Sequence, residues 1–337
     1  MSYTKGTGVC RRNLDGRLYM ASNDLLKKLI SAHYDNDQAK FRSAVLQIAA
    51  AESSAGHANA AEALKDLVVK GTANSSVYKI KLPDSLCSVI IPSNKEMELV
   101  VSDDISGRLA RILKEYRMRE KLRSNGLKNR TKILLEGKPG TGKTLTASVI
   151  AGELQLPLYL IQMDKLITKF MGETSSKLRT IFEQIYNERG VYLFDEFDAI
   201  GADRSFDNEV GEMRRVLNTF LKFLEEDESD SLILAATNNK KMLDKALFRR
   251  FDDVLHYSLP DENQIAKLFE IKLSSYYRPV YINNSVLKQA SGLSHAEITR
   301  VCEDCLKELV LGGSELNSVM IVNYINERLK SYEIKGA

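Results

Sequence analysis

The sequence predicts an α/β fold: a doubly wound parallel sheet, preceded by an N-terminal helical bundle and followed by a C-terminal helical lid. Two observations carry this expectation. From about residue 96 to 259, short apolar runs alternate with amphipathic helical patterns, the layout of parallel strands joined by crossover helices. On either side the strand signals vanish and only helical spacing remains. The chain is 337 residues long, 44% hydrophobic and 28% charged, which suits two or three packed units of a soluble globular protein.

Taken in order, residues 1–70 form the expected helical partner-recognition domain. NDLLKKLISAHY repeats Leu25, Leu26, Leu29 and Ile30 at helical spacing, with Asn23 or Asp24 as its N-cap. FRSAVLQIAAAE and HANAAEALKDLVV continue the pattern, with Gly56 between them and Gly71 at the end, which predicts a three-helix bundle. Residues 71–95 are polar and broken by Pro83 and Pro92, and read as a linker with short extended pieces. The α/β domain spans 96–259, with KILLEG, LPLYLIQ, VYLFDEF, LILAATN and VLHYSL as its strands. The lid domain, 260–337, returns to helices. The acidic run EEDESD (225–230) reads as a solvated loop.

Bulk properties weigh against several classes. A formal net charge of +3 is too small and too mixed for a strongly basic nucleic-acid domain. No apolar run approaches the roughly eighteen residues of a membrane helix, and the N-terminus lacks the apolar core of a secretion signal. Four cysteines are too few and scattered for a disulfide framework. Cys302 and Cys305 form a CxxC on a helix without a second pair or a nearby His, so they are expected as buried apolar side chains rather than zinc ligands. A cytoplasmic location is the expectation.

Gly137 to Thr144 reads GKPGTGKT, the GxxxxGK[ST] pattern, between the strand KILLE and the helix LTASVIAGEL. Glycines let the backbone curl so that successive N–H groups, with those of the helix start, face phosphate oxygens. Nucleotide contacts are expected from Gly137, Pro139, Gly140, Thr141, Gly142, Lys143, Thr144 and Leu145. Lys143 would put a full charge on the β- and γ-phosphates and the Thr144 hydroxyl would ligate Mg²⁺. VYLFDEF then places Asp195 and Glu196 at a strand's carboxyl end, where ligands of such sheets bind. Asp195 would reach the Mg²⁺ shell and Glu196 would orient or deprotonate the attacking water. Adjacent carboxylates at a buried strand end repel each other without a cation, which speaks against a purely structural role. Asp198 could simply cap the segment after it.

With these motifs in place, the chain resembles the AAA+ ATPases, in the subgroup with a second region of homology, over about residues 100–310. The resemblance implies Mg²⁺-dependent hydrolysis of ATP by an oligomer, a hexameric ring in many members. It makes Asn238 of LILAATN a sensor of the γ-phosphate or attacking water. LDKALFRRFD resembles the family's segment bearing Arg249 and Arg250 as arginine fingers, which reach a neighbour's nucleotide. KFMGETSSKLRTIFE resembles a pore loop, with Phe170 and Met171 gripping an extended polypeptide; periodicity alone would put Phe170 in a core. SGLSHAEI resembles the start of the lid helix, with Ala296 close to the nucleotide. His295 departs from the usual Gly and could stack on the nucleotide or point outward. Lys138 departs from the usual Pro. SDDISG resembles the adenine-contacting segment, which makes Ile105 a contact. The layout also resembles bacterial stand-alone members with a small helical N-terminal domain, some encoded beside a subtilisin-like protease.

Two functions are consistent with this pattern. One is a motor that threads or remodels protein substrates; the other is an ATP-dependent switch that controls a partner effector without threading. Nucleic-acid remodelling lacks a basic pore or DNA module, and a P-loop kinase has no place for Asn238 and the arginine pair.

Overall fold

The computed structural model describes residues 16–35, 37–73, 86–92, 99–167, 171–198, 207–238, 248–276, 282–312 and 315–333. Three helices open the chain: α1 (Gly16–Tyr34), α2 (Gln38–Ser54) and α3 (Ala58–Ala73). The helix expected to start at Asn23 or Asp24 begins earlier, at Gly16. RLYMAS contains no residue that stops a helix, so the polar pair lies inside it. Asp37 caps α2 by accepting the Lys40 N–H at 3.0 Å.

A six-stranded sheet comes next, with β1 (Cys87–Ile90), β2 (Lys132–Gly137), β3 (Leu158–Ile161), β4 (Val191–Phe194), β5 (Leu232–Thr237) and β6 (Asp253–Tyr257) in the order β1-β3-β4-β5-β2-β6. β1 runs antiparallel to β3 at the edge, and every other pairing is parallel. The expected linker thus contributes an edge strand. Connecting helices are α4 (Asp103–Arg117), α5 (Arg119–Arg123), α6 (Lys143–Leu154), α7 (Met163–Leu166), α8 (Met171–Asn187) and α9 (Asp207–Glu226). The last part is all helical: α10 (Glu262–Leu273), α11 (Asn284–Ala290), α12 (His295–Gly312) and α13 (Ser318–Glu333).

Both faces of the sheet are covered, which explains why the central strands β4 and β5 are buried at every position rather than at alternate ones. Strand residues still alternate between two cores, because successive side chains point to opposite faces. Ile133, Leu135, Leu193, Leu234 and Leu255 face α4 and α6. Leu134, Tyr192, Phe194, Ile233 and Ala235 face Phe182 and Ile185 of α8 and Phe220 of α9. The lid has its own core, in which Cys302 and Cys305 lie among Phe269, Ile298 and Ile325. Burial pushes the Cys305 thiol up to about 12 and Cys302 up as well, so neither is a thiolate. No metal-holding cluster of His, Cys, Asp or Glu occurs among the described residues. No helix there is long and apolar enough to cross a membrane.

The N-terminal helices are docked on the sheet domain. Leu46 of α2, 1% exposed, belongs to the same core as Tyr159 and Tyr192, whose rings stack at 4.4 Å. Around them Glu188 accepts from the Tyr159 hydroxyl at 3.1 Å and pairs with Arg42 at 3.6 Å. The Ser53 hydroxyl donates to the Pro92 carbonyl and that of Ser54 to the Gly152 carbonyl of α6, each at 3.1 Å. Leu46→Ala is therefore expected to cost about 2–5 kcal/mol of stability. Urea unfolding checks this, and limited proteolysis should show residues 16–73 cleaved first.

The acidic run 225–230 is tied down rather than free. Glu225 and Glu226 end α9, Asp230 pairs with Arg123, and its carbonyl accepts the Tyr116 hydroxyl at 2.7 Å. Glu225, Glu226 and Glu228 are exposed, as read from the sequence, whereas Asp227 and Asp230 are half-buried and the Asp227 carbonyl accepts from the Lys132 ammonium at 3.2 Å.

Candidate active site

The site forms where the sheet's parallel strands end. β2 runs out at Gly137, which packs so closely on β6 that an added Cβ would lie 2.4 Å from the Tyr257 carbonyl oxygen. The loop then turns through Gly140 and Gly142 at φ 73° and 100°, left-handed conformations that favour glycine. Gly142 is the residue before α6, so the loop delivers its backbone N–H groups to a helix N-terminus, where an anion is stabilised.

Lys143 is 6% exposed, and its three ammonium protons are all engaged. It donates to the Gly137 carbonyl at 2.6 Å, the Lys138 carbonyl at 3.0 Å and the Asn238 side-chain oxygen at 2.8 Å. Burial pulls its pKa down, while Asp195, Asp198 and Glu136 pull it back up. An arriving phosphate would exchange these neutral acceptors for an anionic one, which makes a stronger bond.

Asp195 and Glu196 come directly after β4. The Thr144 hydroxyl donates to Asp195 Oδ2 at 2.7 Å, which brings together the two oxygens expected around a cation. Asp195 Oδ1 accepts the Glu196 N–H at 2.9 Å, and the Phe197 N–H donates to the Ala236 carbonyl at 2.8 Å. Between these anchors Glu196 takes φ 53°, a left-handed conformation that costs a non-glycine residue roughly 1–2 kcal/mol. The turn leaves its carboxylate exposed beyond the strand end, where a water can approach it. Sequence periodicity carries no sign of that backbone turn. The Asp198 carboxylate accepts the Asn238 N–H at 3.3 Å and joins the ends of β4 and β5, while the segment it is expected to cap lies outside the described residues.

The lid closes over the loop. The Ala296 N–H donates to the Gly140 carbonyl at 3.0 Å, and a Cβ on Gly140 would meet Ser294 Oγ at 2.6 Å and the Ala296 Cβ at 3.1 Å. Ser294 immediately precedes α12, with the Glu297 carboxylate accepting its N–H at 2.7 Å. Ile105 lies in the first turn of α4, whose N-cap is Ser102, and both line a small crevice with Tyr257 and His295. His295 points inward and is 9% exposed.

The arginine pair lies elsewhere. β6 runs parallel to β2, with Asp253 opposite Ile133 and Tyr257 opposite Gly137. Arg249 and Arg250 precede β6, so they sit at the edge where strands begin. β2 separates them from the phosphate loop by about 17 Å at ~3.3 Å per residue, beyond the reach of one side chain. Arg250 pairs with Glu225. Arg249 is exposed and forms no ion pair among the described residues. Asp252 fixes this corner by accepting the Thr131 and Lys132 N–H groups at 2.8 and 2.9 Å. Phe170 lies outside the described residues, as does the side chain of Met171, which opens α8.

A cavity of about 820 Å³ lies away from this site. It lies at the strand-start edge, between Lys28 and Lys40 of the N-terminal helices and Asp227 and Asp252 of the sheet domain. Donor chemistry locates the site here, and cavity size does not. The curled loop, the buried ammonium and the Thr144–Asp195 pair fit a nucleoside triphosphate with a divalent cation.

Comparison with known proteins agrees. Residues 133–259 match the model of the ATPase family associated with various cellular activities. The chain is 34% identical over 302 residues to an uncharacterized AAA family ATPase, y4kL, of Sinorhizobium fredii, covering 87% of this chain and 90% of that protein. It is 38% identical over 184 residues to an ATP-dependent zinc metalloprotease FtsH of Parabacteroides distasonis, with 51% of this chain and 26% of that protein covered. A putative 26S proteasome regulatory subunit homolog of Methanocaldococcus jannaschii is 27% identical over 229 residues, or 67% of this chain and 61% of its own. The chain thus runs nearly the length of y4kL but matches only about a quarter of FtsH. A phosphate loop with its lysine buried, an Asp-Glu strand end beside it and this similarity along almost the whole chain place the protein in the AAA family, as an ATP-hydrolysing enzyme.

Proposed function

We propose that this ATPase works as an oligomeric motor, a hexameric ring by family likeness, that remodels protein substrates and whose site is completed by Arg249 of a neighbouring subunit. The observation that supports this most is topological. Arg249 is exposed at the sheet edge opposite its own phosphate loop, so any nucleotide it touches is another subunit's. Arg250, held by Glu225, would fix the turn that presents it.

ATP is the substrate, with Lys143 and the loop N–H groups holding its phosphates. A Mg²⁺ between Thr144 and Asp195 would add positive charge at the phosphate oxygens. Glu196 would take the proton of a water or align it, and Asn238, fixed by Asp198, would hold the far side of the γ-phosphate. Phe170 and Met171 would grip the polypeptide. A protein effector, such as a subtilisin-like protease, belongs to this reading through the family likeness alone.

A switch without threading is the second reading, and one contact favours it. Ser54 of α2 bonds Gly152 in α6, the helix that begins at the phosphate loop, so the N-terminal helices can sense that helix directly. Phe170→Ala separates the two. The expected result is that the ATPase activity remains but loses its stimulation by a permanently unfolded polypeptide such as carboxymethylated casein. Stimulation equal to wild type would rule out gripping by Phe170 and favour the switch.

A further inference from the structure

His295 carries an unexplained polarity. It opens α12, is 9% exposed, and both of its ring nitrogens are buried without a hydrogen-bond partner. Leaving such groups unpaired costs about 1–3 kcal/mol, and native structures rarely tolerate that without a reason. The ring borders a crevice shared with Val101, Ser102, Ile105, Tyr257 and Gln264. That crevice, of about 10 Å³, is shut to the size of one water. It adjoins the phosphate loop, because the next residue, Ala296, is bonded to Gly140. A nucleotide with its phosphates on the loop would extend its base toward this wall.

The surroundings also choose the tautomer. The Val100 backbone carbonyl lies near the ring, without a hydrogen bond to it. A carbonyl can only accept, so the nitrogen turned toward it keeps the proton, and the other nitrogen of a neutral imidazole becomes an acceptor. We propose that His295 is a specificity-determining residue that reads the base, accepting a hydrogen bond from the amino group of a 6-aminopurine through the nitrogen turned away from Val100. A 6-oxopurine presents an acceptor at that position and leaves both groups unpaired. This role rests on the nucleotide-site reading and adds to it the residue that selects the base.

Protonation would convert the reading nitrogen into a donor. Burial holds the imidazole pKa below its usual value, opposed by the Val100 carbonyl and the Asp261 carboxylate at the N-terminus of α10. Of the other titratable groups nearby, the Tyr257 hydroxyl is bonded to Thr146 at 2.7 Å and Glu297 to the Ser294 N–H. The ring is therefore neutral at neutral pH and gains its proton only below the usual imidazole range.

The test is calorimetric binding of ADP and of inosine diphosphate to the full chain, neither of which is turned over. Wild type at pH 7.5 should prefer ADP by about tenfold, the value of one hydrogen bond. His295→Ala should reduce the preference to within about twofold, chiefly by weakening ADP, and His295→Gln, which keeps an acceptor, should restore part of it. Independently of any variant, the wild-type preference should shrink at acidic pH, below the usual imidazole range, where the buried ring gains its proton. An unchanged preference in His295→Ala, or none in wild type, would overturn the role of His295 while leaving the nucleotide site intact. No binding of either nucleotide to wild type would overturn the site itself and the base-reading role with it.

Discussion

Replacing Glu196 with Gln is expected to lower the ATPase rate by about 10²–10⁴, the usual contribution of a positioned general base, while leaving ATP affinity within a few-fold of wild type. The carboxylate is exposed beyond the strand end, so its loss removes proton chemistry and not binding. Nothing in the turn depends on its charge either: the turn is held by the Glu196 and Phe197 N–H groups, both retained in Gln. Steady-state hydrolysis and equilibrium binding of the same variant separate the two effects. Normal turnover would mean that another group serves the water, and loss of binding would mean that Glu196 holds the nucleotide.

Arg249→Ala should lower turnover by about 10³–10⁵, the range for arginine fingers, again with ATP binding preserved. The site it would complete belongs to a neighbour, so its defect should be rescued by mixing. Adding Lys143→Ala chains, inactive themselves but bearing an intact Arg249, to Arg249→Ala chains should recover activity that neither variant shows alone. Activity that stays at the sum of the two variants would contradict a shared site. Arg250→Ala should act through Glu225 and the turn, with a smaller effect on turnover and a measurable loss of stability.

Much of this is legible in the sequence for a physical reason. A parallel sheet covered on both faces needs strands that are apolar throughout, so KILLEG and LILAAT stand out as runs. A phosphate loop needs glycine where φ is positive and where Tyr257 or Ser294 leaves no room for a Cβ. Local spacing therefore announces both. What it cannot announce depends on parts far apart in the chain. The docking of α2 on the sheet domain rests on Leu46 meeting Tyr159 and Tyr192, more than a hundred residues later. β1 reads as a linker because CSVI is short and pairs only at an edge. His295 is ambiguous for the same reason: its burial is decided by Val100 and Ile105, which the lid meets only after folding. Asp198 reads as a cap, and its bond to Asn238 becomes visible only when β4 and β5 lie side by side.

The measurement that bears most directly on the shared site is the ATPase rate per chain as a function of protein concentration, at saturating ATP and Mg²⁺. Assembly of the site from two subunits predicts a steep rise with concentration, because Arg249 cannot reach its own phosphate loop. A rate that is appreciable and independent of concentration down to the monomeric range would contradict it, since each chain would then hold a complete site.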